Sequence, residues 1–350
     1  MRDIRSQQPS RRDMMIALGG AALGAAFSRQ PQGSASAGPV IRTLLDDVRP
    51  DALGTKAILF HEHLSWEWAR VRGDGAPPGP AKDLQAIAGQ LDTAASEGVG
   101  CIVDAGTTDV GRDAAFLTRI AKQTSVRLVA CGGLYMERTY PAGIAAQPED
   151  VIADGLVREA RAERYGALGE IGETPNAAMS AVERKVFRAV GRAHLRTNLP
   201  IFTHNAYGTG PNVPRDAALR QLDAFESVGV DPRRVAIGHT CCLDDPKAEV
   251  ISALAKRGAF VGFDRVTGGL VPDDRKVVMV LAFLAAGWTD HLLLSADYNF
   301  TARSAARPGY ASALTVFVPK LRQAGVNEAT IRRITIDNPR RFLAFVPKND

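Results

Sequence analysis

Six side chains of the types that bind divalent metal ions lie at or near the ends of short apolar runs: His61, His63, Glu170, His204, His239 and Asp297. The chain has only six histidines, and four of them belong to this set. Imidazole and carboxylate groups suit ions such as Zn, Mn, Co or Fe. One ion needs three or four protein ligands, whereas six ligands can hold two ions and leave a position open for water. The pattern therefore predicts a site for divalent metal ions.

The apolar runs that carry these residues predict eight buried strands. They are Ala57–Leu64, Gly100–Gly106, Val126–Tyr135, Tyr165–Gly172, Leu199–Asn205, Arg233–Thr240, Ala259–Asp264 and His291–Asp297. Near-continuous Val, Ile and Leu is typical of strands covered on both faces. Eight strands that alternate with helical patterns over about 240 residues predict an α/β fold, a single (β/α)8 TIM barrel. An open doubly wound sheet is less favoured because no glycine fingerprint follows the first strand.

Three helical patterns can be given bounds. One covers Ala177–Thr197, and another covers Pro246–Arg257, with Asp245 as the expected N-cap and Pro246 at the first helical position. The third, Asn327–Phe345, is predicted to be a C-terminal closing helix with Asn327 as its N-cap.

The predicted barrel brings the six candidate ligands together. Active sites of this fold lie at the carboxyl ends of the strands, which all face one mouth. His61 and His63 are two residues apart, so a strand places both imidazoles on its inner face. Glu62 is then expected to point outward, into the strand–helix layer or solvent.

Several motifs resemble the phosphotriesterase family of the amidohydrolase superfamily. The resemblance runs from about Asp47 to the C-terminus, with the motifs in the family's order: His61-Glu62-His63-Leu64, Ile201-Phe202-Thr203-His204, Ile237-Gly238-His239-Thr240, Phe260-Val261-Gly262-Phe263-Asp264-Arg265 and Leu294-Ser295-Ala296-Asp297. It implies a (β/α)8 barrel with two divalent metal ions, Zn first and Mn, Co or Fe as alternatives, and a hydroxide that bridges them.

The fourth strand departs from the pattern of many family members, which bridge their metals with a carboxylated lysine. This chain has no lysine between Lys122 and Lys185. Its segment Ala167-Leu168-Gly169-Glu170-Ile171-Gly172 resembles the phosphotriesterase homology proteins, a branch in which a glutamate bridges. Glu170 is the expected bridge. Glu173 is an alternative, although three positions along a strand point to the opposite face.

The resemblance also suggests roles for individual residues. Asp297 would be both a metal ligand and the base that takes a proton, and His239 or His204 would orient the site or relay that proton. Tyr135 resembles a pocket tyrosine of the family's lactonase branch, and Asp264 with Arg265 would bind substrate. The alternatives are aromatic packing for Tyr135 and a salt-bridged loop for Asp264 and Arg265.

The expected activity is hydrolysis of an ester-type bond in a small molecule. A lactone or carboxyl ester is the first choice, with phosphotriester turnover secondary. One alternative is an amide or amine hydrolase, deacetylase-like, from the same superfamily. Another is a non-catalytic exported barrel that binds metal.

The charge of the 350-residue chain is concentrated at its N-terminus. The net charge is +5, and residues 1–37 hold five arginines and two aspartates, which leaves 38 basic and 36 acidic residues in 38–350. A nucleic-acid partner is therefore not expected. The paired Arg11-Arg12, the apolar run 16–27 and Ala35-Ser36-Ala37 resemble a twin-arginine export signal, with a disordered tail as the alternative.

The organisation that follows is a signal peptide over residues 1–37 and a hydrolase barrel over 38–350, in a periplasmic or exported protein. The apolar run is too short to span a membrane, so stable membrane insertion is not expected. The pattern allows for a homodimer. The cysteines lack metal-binding spacing and are expected to be small buried hydrophobes.

Overall fold

The computed structural model describes residues 38–67, 83–207, 213–300 and 308–348. The predicted signal segment, residues 1–37, lies outside these ranges. From Gly38 onward the chain forms one compact unit. Within the described ranges, no helix is both long enough and apolar enough to cross a membrane.

Eight parallel strands, each within or close to a predicted run, form the barrel. They are β3 Ala57–Glu62, β4 Val99–Asp104, β5 Arg127–Gly132, β6 Tyr165–Gly172, β7 Ile201–His204, β8 Val235–Ile237, β9 Phe260–Phe263 and β10 Leu292–Leu294. They are hydrogen-bonded in chain order from β3 to β10. The last strand meets the first where His63 N–H donates to Tyr298 O (2.9 Å) and Asp297 N–H to His61 O (3.3 Å). The predicted (β/α)8 barrel is confirmed.

A helix follows each barrel strand, and two further short helices complete the C-terminus. They are α1 Leu84–Ser96, α2 Ala114–Ala121, α3 Glu149–Ala162, α4 Ala181–Thr197, α5 Ala217–Glu226, α6 Glu249–Lys256, α7 Asp273–Ala285, α8 Val318–Gln323, α9 Glu328–Arg332 and α10 Asn338–Leu343.

Two predicted helix starts are wrong. The helix expected from Ala177 begins at Ala181, because Ser180 forms a capping box with Glu183. The helix expected from Pro246 begins at Glu249, after Ala248 turns into the left-handed region at φ 56°. Asp245 is thus not the N-cap, yet its carboxylate accepts a hydrogen bond from Val250 N–H at 2.8 Å.

The closing helix predicted over Asn327–Phe345 is present in three parts. Asn327 caps α9, because its side chain accepts from Thr330 N–H at 2.9 Å. A wider π-helical turn, Arg333–Asp337, then leads into α10. Pro339 lies at the start of α10, and its missing N–H interrupts the regular hydrogen bonding.

Apolar side chains pack on both sides of the barrel wall. The larger group packs the outer faces of the strands against the helices. The smaller group fills the barrel interior and ends in an aromatic floor, where Phe342 lies 6.3 Å from Phe60 and 5.4 Å from Phe260 between ring centroids. Polar side chains at the mouth of the barrel therefore lie directly above an apolar interior.

The base of the barrel, opposite the mouth, holds both ends of the described chain. Strands β1 Ile41–Arg42 and β2 Asp47–Val48 form a short antiparallel hairpin. Leu44 N–H, in its turn, donates to Leu128 O near the start of β5. Val40 pairs with Phe345 through two backbone hydrogen bonds of 2.8 and 2.9 Å. This pairing ties the first described residues to the last.

Candidate metal centre

Two barrel strands carry an extra residue where they approach the mouth. On β3, Leu59 pairs with Ile102 and Glu62 pairs with Asp104. The chain therefore advances three residues on β3 while it advances two on β4. On β6 the same irregularity falls between Leu168 and Ile171. A bulge of this kind re-aims a side chain. It turns His61 inward after the inward-facing Phe60, and it turns Glu170 inward after the outward-facing Leu168.

Glu170 lies within reach of all four candidate histidines. Its Oε1 is 2.7 Å from His204 Nδ1, 3.2 Å from His239 Nε2 and 3.3 Å from His61 Nε2. Its Oε2 is 3.7 Å from His63 Nε2. The alternative, Glu173, instead faces α5, where Arg220 Nε donates to it at 2.6 Å and Gln221 Nε2 at 3.1 Å.

Asp297 completes the cluster from the opposite side. Its Oδ1 lies 3.0 Å from His63 Nε2 and 3.7 Å from His61 Nε2. Its Oδ2 lies 3.2 Å from Arg265 Nε. All six candidate ligands predicted from the sequence therefore converge at the barrel mouth.

Asp264 lies behind two of the histidines. Its Oδ2 is 2.9 Å from His61 Nδ1, and its Oδ1 is 3.0 Å from His239 Nδ1 and accepts the backbone N–H of His239 at 2.7 Å. A carboxylate on Nδ1 fixes the ring so that Nε2 faces the opposite way. Asp264 thus holds His239 through two hydrogen bonds and lies beside Nδ1 of His61. Its direct contact with a substrate stays a prediction.

Glu62, whose function the sequence does not indicate, holds the loop that carries Asp297. The side chain is fully buried, in the layer outside the barrel rather than in solvent. Its carboxylate accepts Ala296 N–H at 2.9 Å and Tyr298 N–H at 2.7 Å, the amides on either side of Asp297. The signal available in the sequence was its place between two candidate ligands.

Burial and charge act against each other in this cluster. Burial alone would raise the pKa of Glu170, but the neighbouring His61 and His204 hold that pKa well below its ordinary value. Burial would lower the pKa of His239, yet Asp264 raises it to about 10. His204 is shifted by burial to a pKa of about 4. Asp264 thus favours positive charge on His239, whereas burial favours the neutral form of His204 although Glu170 lies 2.7 Å away.

The pKa of Asp297 is also lowered. Burial raises it, but the hydrogen bond from His63 and the charges of His239 and Arg265 outweigh burial. Asp297 is therefore ionised at neutral pH.

Tyr135 covers the histidines from the loop after β5. Its hydroxyl lies 3.1 Å from His204 Nδ1. Asp109 fixes the loop, because its carboxylate accepts Tyr135 N–H at 2.9 Å and the Thr139 hydroxyl at 2.7 Å. Trp66 packs between Tyr135 and His63, with ring centroids 5.1 and 4.2 Å away. Burial raises the pKa of the Tyr135 phenol well above its usual value, so the phenol keeps its proton.

The cluster fits metal ions. Three groups of three have ligand atoms within 4.8 Å of one another. They are His61, His63 and Asp297; Glu170, His204 and His239; and His61, His239 and Asp264, in which Asp264 lies on the Nδ1 side of both rings. Within the described ranges, the buried His61 Nε2 and Glu170 Oε2 make no hydrogen bond. Buried polar atoms without a partner are costly, and a divalent cation would satisfy both.

The other histidines and the cysteines are structural. His194 Nδ1–H donates to Leu199 O at 2.7 Å, and His291 Nδ1–H donates to Ala259 O at 3.0 Å. All four cysteines are buried and unpaired.

Comparison with known proteins agrees with the fold and the family resemblance. The model of the phosphotriesterase family matches residues 39–343. The phosphotriesterase homology protein of Escherichia coli is 29% identical over 265 residues, which is 73% of this chain and 87% of that protein. Its crystal structure with phosphate in the active site superimposes with a TM-score of 0.74, at 28% identity, over 83% of this chain and 99% of that one.

The names of two other relatives indicate hydrolysis of different kinds of bond. An aryldialkylphosphatase of Saccharolobus solfataricus is 28% identical over 85% of this chain and 98% of its own. An N-acetyltaurine hydrolase of Rattus norvegicus is 25% identical over 87% of this chain and 98% of its own. Because the family model covers nearly the whole barrel, the chain belongs to the phosphotriesterase family of hydrolases.

Proposed function

We propose that the protein hydrolyses an ester-type bond in a small molecule with the help of two divalent ions, zinc in the first instance. A lactone or carboxyl ester is the expected substrate, and phosphotriester turnover is secondary. One observation carries the proposal: a single carboxylate, Glu170, lies within 3.7 Å of all four histidines. A carboxylate in that position suits a bridge between two ions.

Each ion would have its own ligands beside the shared carboxylate. His61, His63 and Asp297 would hold one, and His204 with His239 would hold the other. Two bound cations would supply Lewis acidity, which lowers the pKa of water and polarises the oxygen of the substrate's carbonyl or phosphoryl group.

Asp297 is the proposed base. Its lowered pKa keeps the carboxylate free to accept a proton from the attacking water at neutral pH. Arg265 Nε lies 3.2 Å from Asp297 Oδ2, beside the proposed base. His239, whose ring Asp264 holds through Nδ1, lies 3.9 Å from Asp297 Oδ2 and would orient the site as a metal ligand.

Substrate would lie between Tyr135 and Arg265. The Tyr135 phenol keeps its proton and can donate it to a substrate oxygen. The Arg265 side chain is 26% exposed, so its guanidinium can meet a ligand at the mouth. A planar guanidinium suits a carboxylate or a phosphate.

A second candidate function is hydrolysis of an amide. The relative named N-acetyltaurine hydrolase supports it, since that name describes cleavage of an N-acyl bond at similar coverage of this chain. Amide and ester hydrolysis pass through the same kind of tetrahedral species, so the cluster suits both.

The test is a panel of four probes on zinc-loaded protein: δ-valerolactone, 4-nitrophenyl acetate, diethyl 4-nitrophenyl phosphate and N-acetyltaurine. We expect the first two to be hydrolysed with the highest kcat/KM. Turnover should vanish with chelator and return with zinc or manganese. Asp297→Asn should lower kcat by about a hundredfold or more, the typical contribution of a positioned base.

Three results would change the proposal. A preference for N-acetyltaurine would favour the amide hydrolase. One tightly bound ion per chain would contradict the two-metal site. No turnover of any probe by metal-replete protein would favour the third possibility, a non-catalytic barrel that binds metal. Export through residues 1–37 and a homodimer remain predictions from the sequence.

A further inference from the structure

Lys276 is a lysine buried in a position where an apolar residue is expected. It lies on α7, which also buries Val277, Met279 and Val280, and its own side chain has no exposed surface. Burying an ammonium group is costly unless its donors are all satisfied. A methionine would fill the same space without that cost, so the charge itself needs an explanation.

All the polar contacts of Lys276 lie in and next to one segment, the β9–α7 loop (residues 264–272). Its Nζ donates to Arg265 O at 2.6 Å, to Gly268 O, and to Asp273 Oδ1 at 3.4 Å. An ammonium group has three donors, and these three partners use them all. The lysine thus ties both halves of the loop to the helix behind it.

The loop needs such an anchor because its backbone is irregular. Thr267 has φ 65° and Gly269 has φ 79°, and only glycine adopts this left-handed region easily. Thr267 N–H is held by Asp273 Oδ1 at 2.9 Å, the same oxygen that Lys276 contacts. Lys276 and Asp273 therefore fix the loop jointly.

The same loop carries Arg265 to the mouth. Its backbone N–H approaches Cys241 Sγ at 3.4 Å, and its side chain reaches Asp297. Lys276 Nζ binds the carbonyl of this same residue, so it holds the backbone from which the Arg265 side chain extends.

We propose that Lys276 is a positioning residue for substrate binding, which acts by holding Arg265 at the barrel mouth. The inference rests on the proposed function, in which Arg265 contacts substrate. It assigns Lys276 no contact with the reacting atoms.

The test compares Lys276→Met with Lys320→Met. Lys320 is a matched control because it also contacts Asp273 and Asp274, at 3.8 and 3.0 Å, but its side chain is 38% exposed. In zinc-loaded Lys276→Met we expect amide hydrogen exchange of residues 266–270 to be about tenfold faster, since a local anchor is lost. Lys320→Met should exchange like the wild type, and both variants should keep the metal content of the wild type.

Kinetics separate positioning from a general structural role. With the probe that the wild type hydrolyses fastest, Lys276→Met should raise KM by about tenfold, the effect of one lost hydrogen bond to a charged group, and leave kcat within about threefold. Arg265→Met should raise KM similarly, and adding Lys276→Met to it should change nothing further. Additive effects, or unchanged exchange in Lys276→Met, would overturn the inference.

If Lys276→Met does not fold, Lys276→Gln, whose amide can still donate to a loop carbonyl, should give intermediate exchange and KM, and wild-type values for both would count against the role of the lysine. If the wild type hydrolyses no probe, the proposed function has failed, while the exchange comparison still decides whether Lys276 holds the loop.

Discussion

Asp297 shows how much of this site depends on single buried contacts. Its backbone lies in the left-handed region at φ 51°, which is uncommon for a residue with a side chain. Glu62 accepts hydrogen bonds from the backbone amides that precede and follow Asp297. The N–H of Asp297 itself donates to His61 O. The aspartate can reach His63 and Arg265 because its neighbours are held in this way.

Glu62→Gln should therefore weaken one metal position without removing a candidate ligand. A glutamine offers one carbonyl oxygen where the glutamate offers two, so one of the two amides faces an N–H group. Leaving a buried donor unsatisfied costs about 1–3 kcal/mol, which as a loss of affinity for one ion would be about fivefold to 150-fold. Competition with a metal-binding dye measures this affinity.

Glu173→Gln is the matched control for this change. Glu173 is equally buried and also carries two hydrogen bonds, but its partners are Arg220 and Gln221 on α5. It should lower stability and leave both ions bound. If Glu62→Gln binds two ions as tightly as the wild type, Glu62 does not position Asp297.

At the scale of elements, the two bulged strands explain what could be predicted and what could not. The eight strands and the convergence of six candidate ligands follow from apolar runs that end in polar residues. The bulges at His61 and Glu170 could not be predicted from the sequence pattern. Regular alternation along β3 would have placed either Phe60 or His61 on the outer face, whereas both face inward. Asp264 was predicted to bind substrate, but its contacts with two Nδ1 atoms depend on the exact end of β9.

The bulge on β6 needs a glycine beside Glu170. A Cβ on Gly169 would lie 2.5 Å from the ring of Phe202, which is fully buried. Gly169→Ala should displace the ring or the strand at a cost of about 1–3 kcal/mol, typical of overpacking, and should reduce the bound metal by moving Glu170. Urea unfolding and metal analysis measure the two effects.

Gly89→Ala provides the comparison. Gly89 lies on the exposed side of α1 with open space where a Cβ would be. In a helix this substitution should raise stability by about 0.5–1 kcal/mol and leave metal binding unchanged. Equal effects of the two substitutions would contradict the proposed requirement at position 169.

For the whole molecule, the candidate metal centre concentrates buried charge above an apolar floor. Carboxylates and imidazoles from β3, β6, β7, β8 and β10 meet there, so bound cations would cross-link most of the barrel. Ligands that bind only the folded state add to its stability.

Removing metal should thus lower the melting temperature. At free zinc about 1,000 times its dissociation constant, binding contributes about 4 kcal/mol to the free energy of unfolding. Scanning calorimetry of chelated and reloaded protein measures the difference, and Glu170→Gln should show a much smaller one. The same melting temperature with and without metal would contradict a structural contribution from the ions.

The pairing of Val40 with Phe345 has a practical consequence for handling the protein. Both ends of the barrel domain leave from the face opposite the mouth, and they leave side by side. A tether attached at the C-terminus would fix the enzyme to a support with its mouth toward the solution. A short linker between Gly38 and Lys348 would turn the domain into a closed loop of chain, which can be reopened at a surface turn to give new termini.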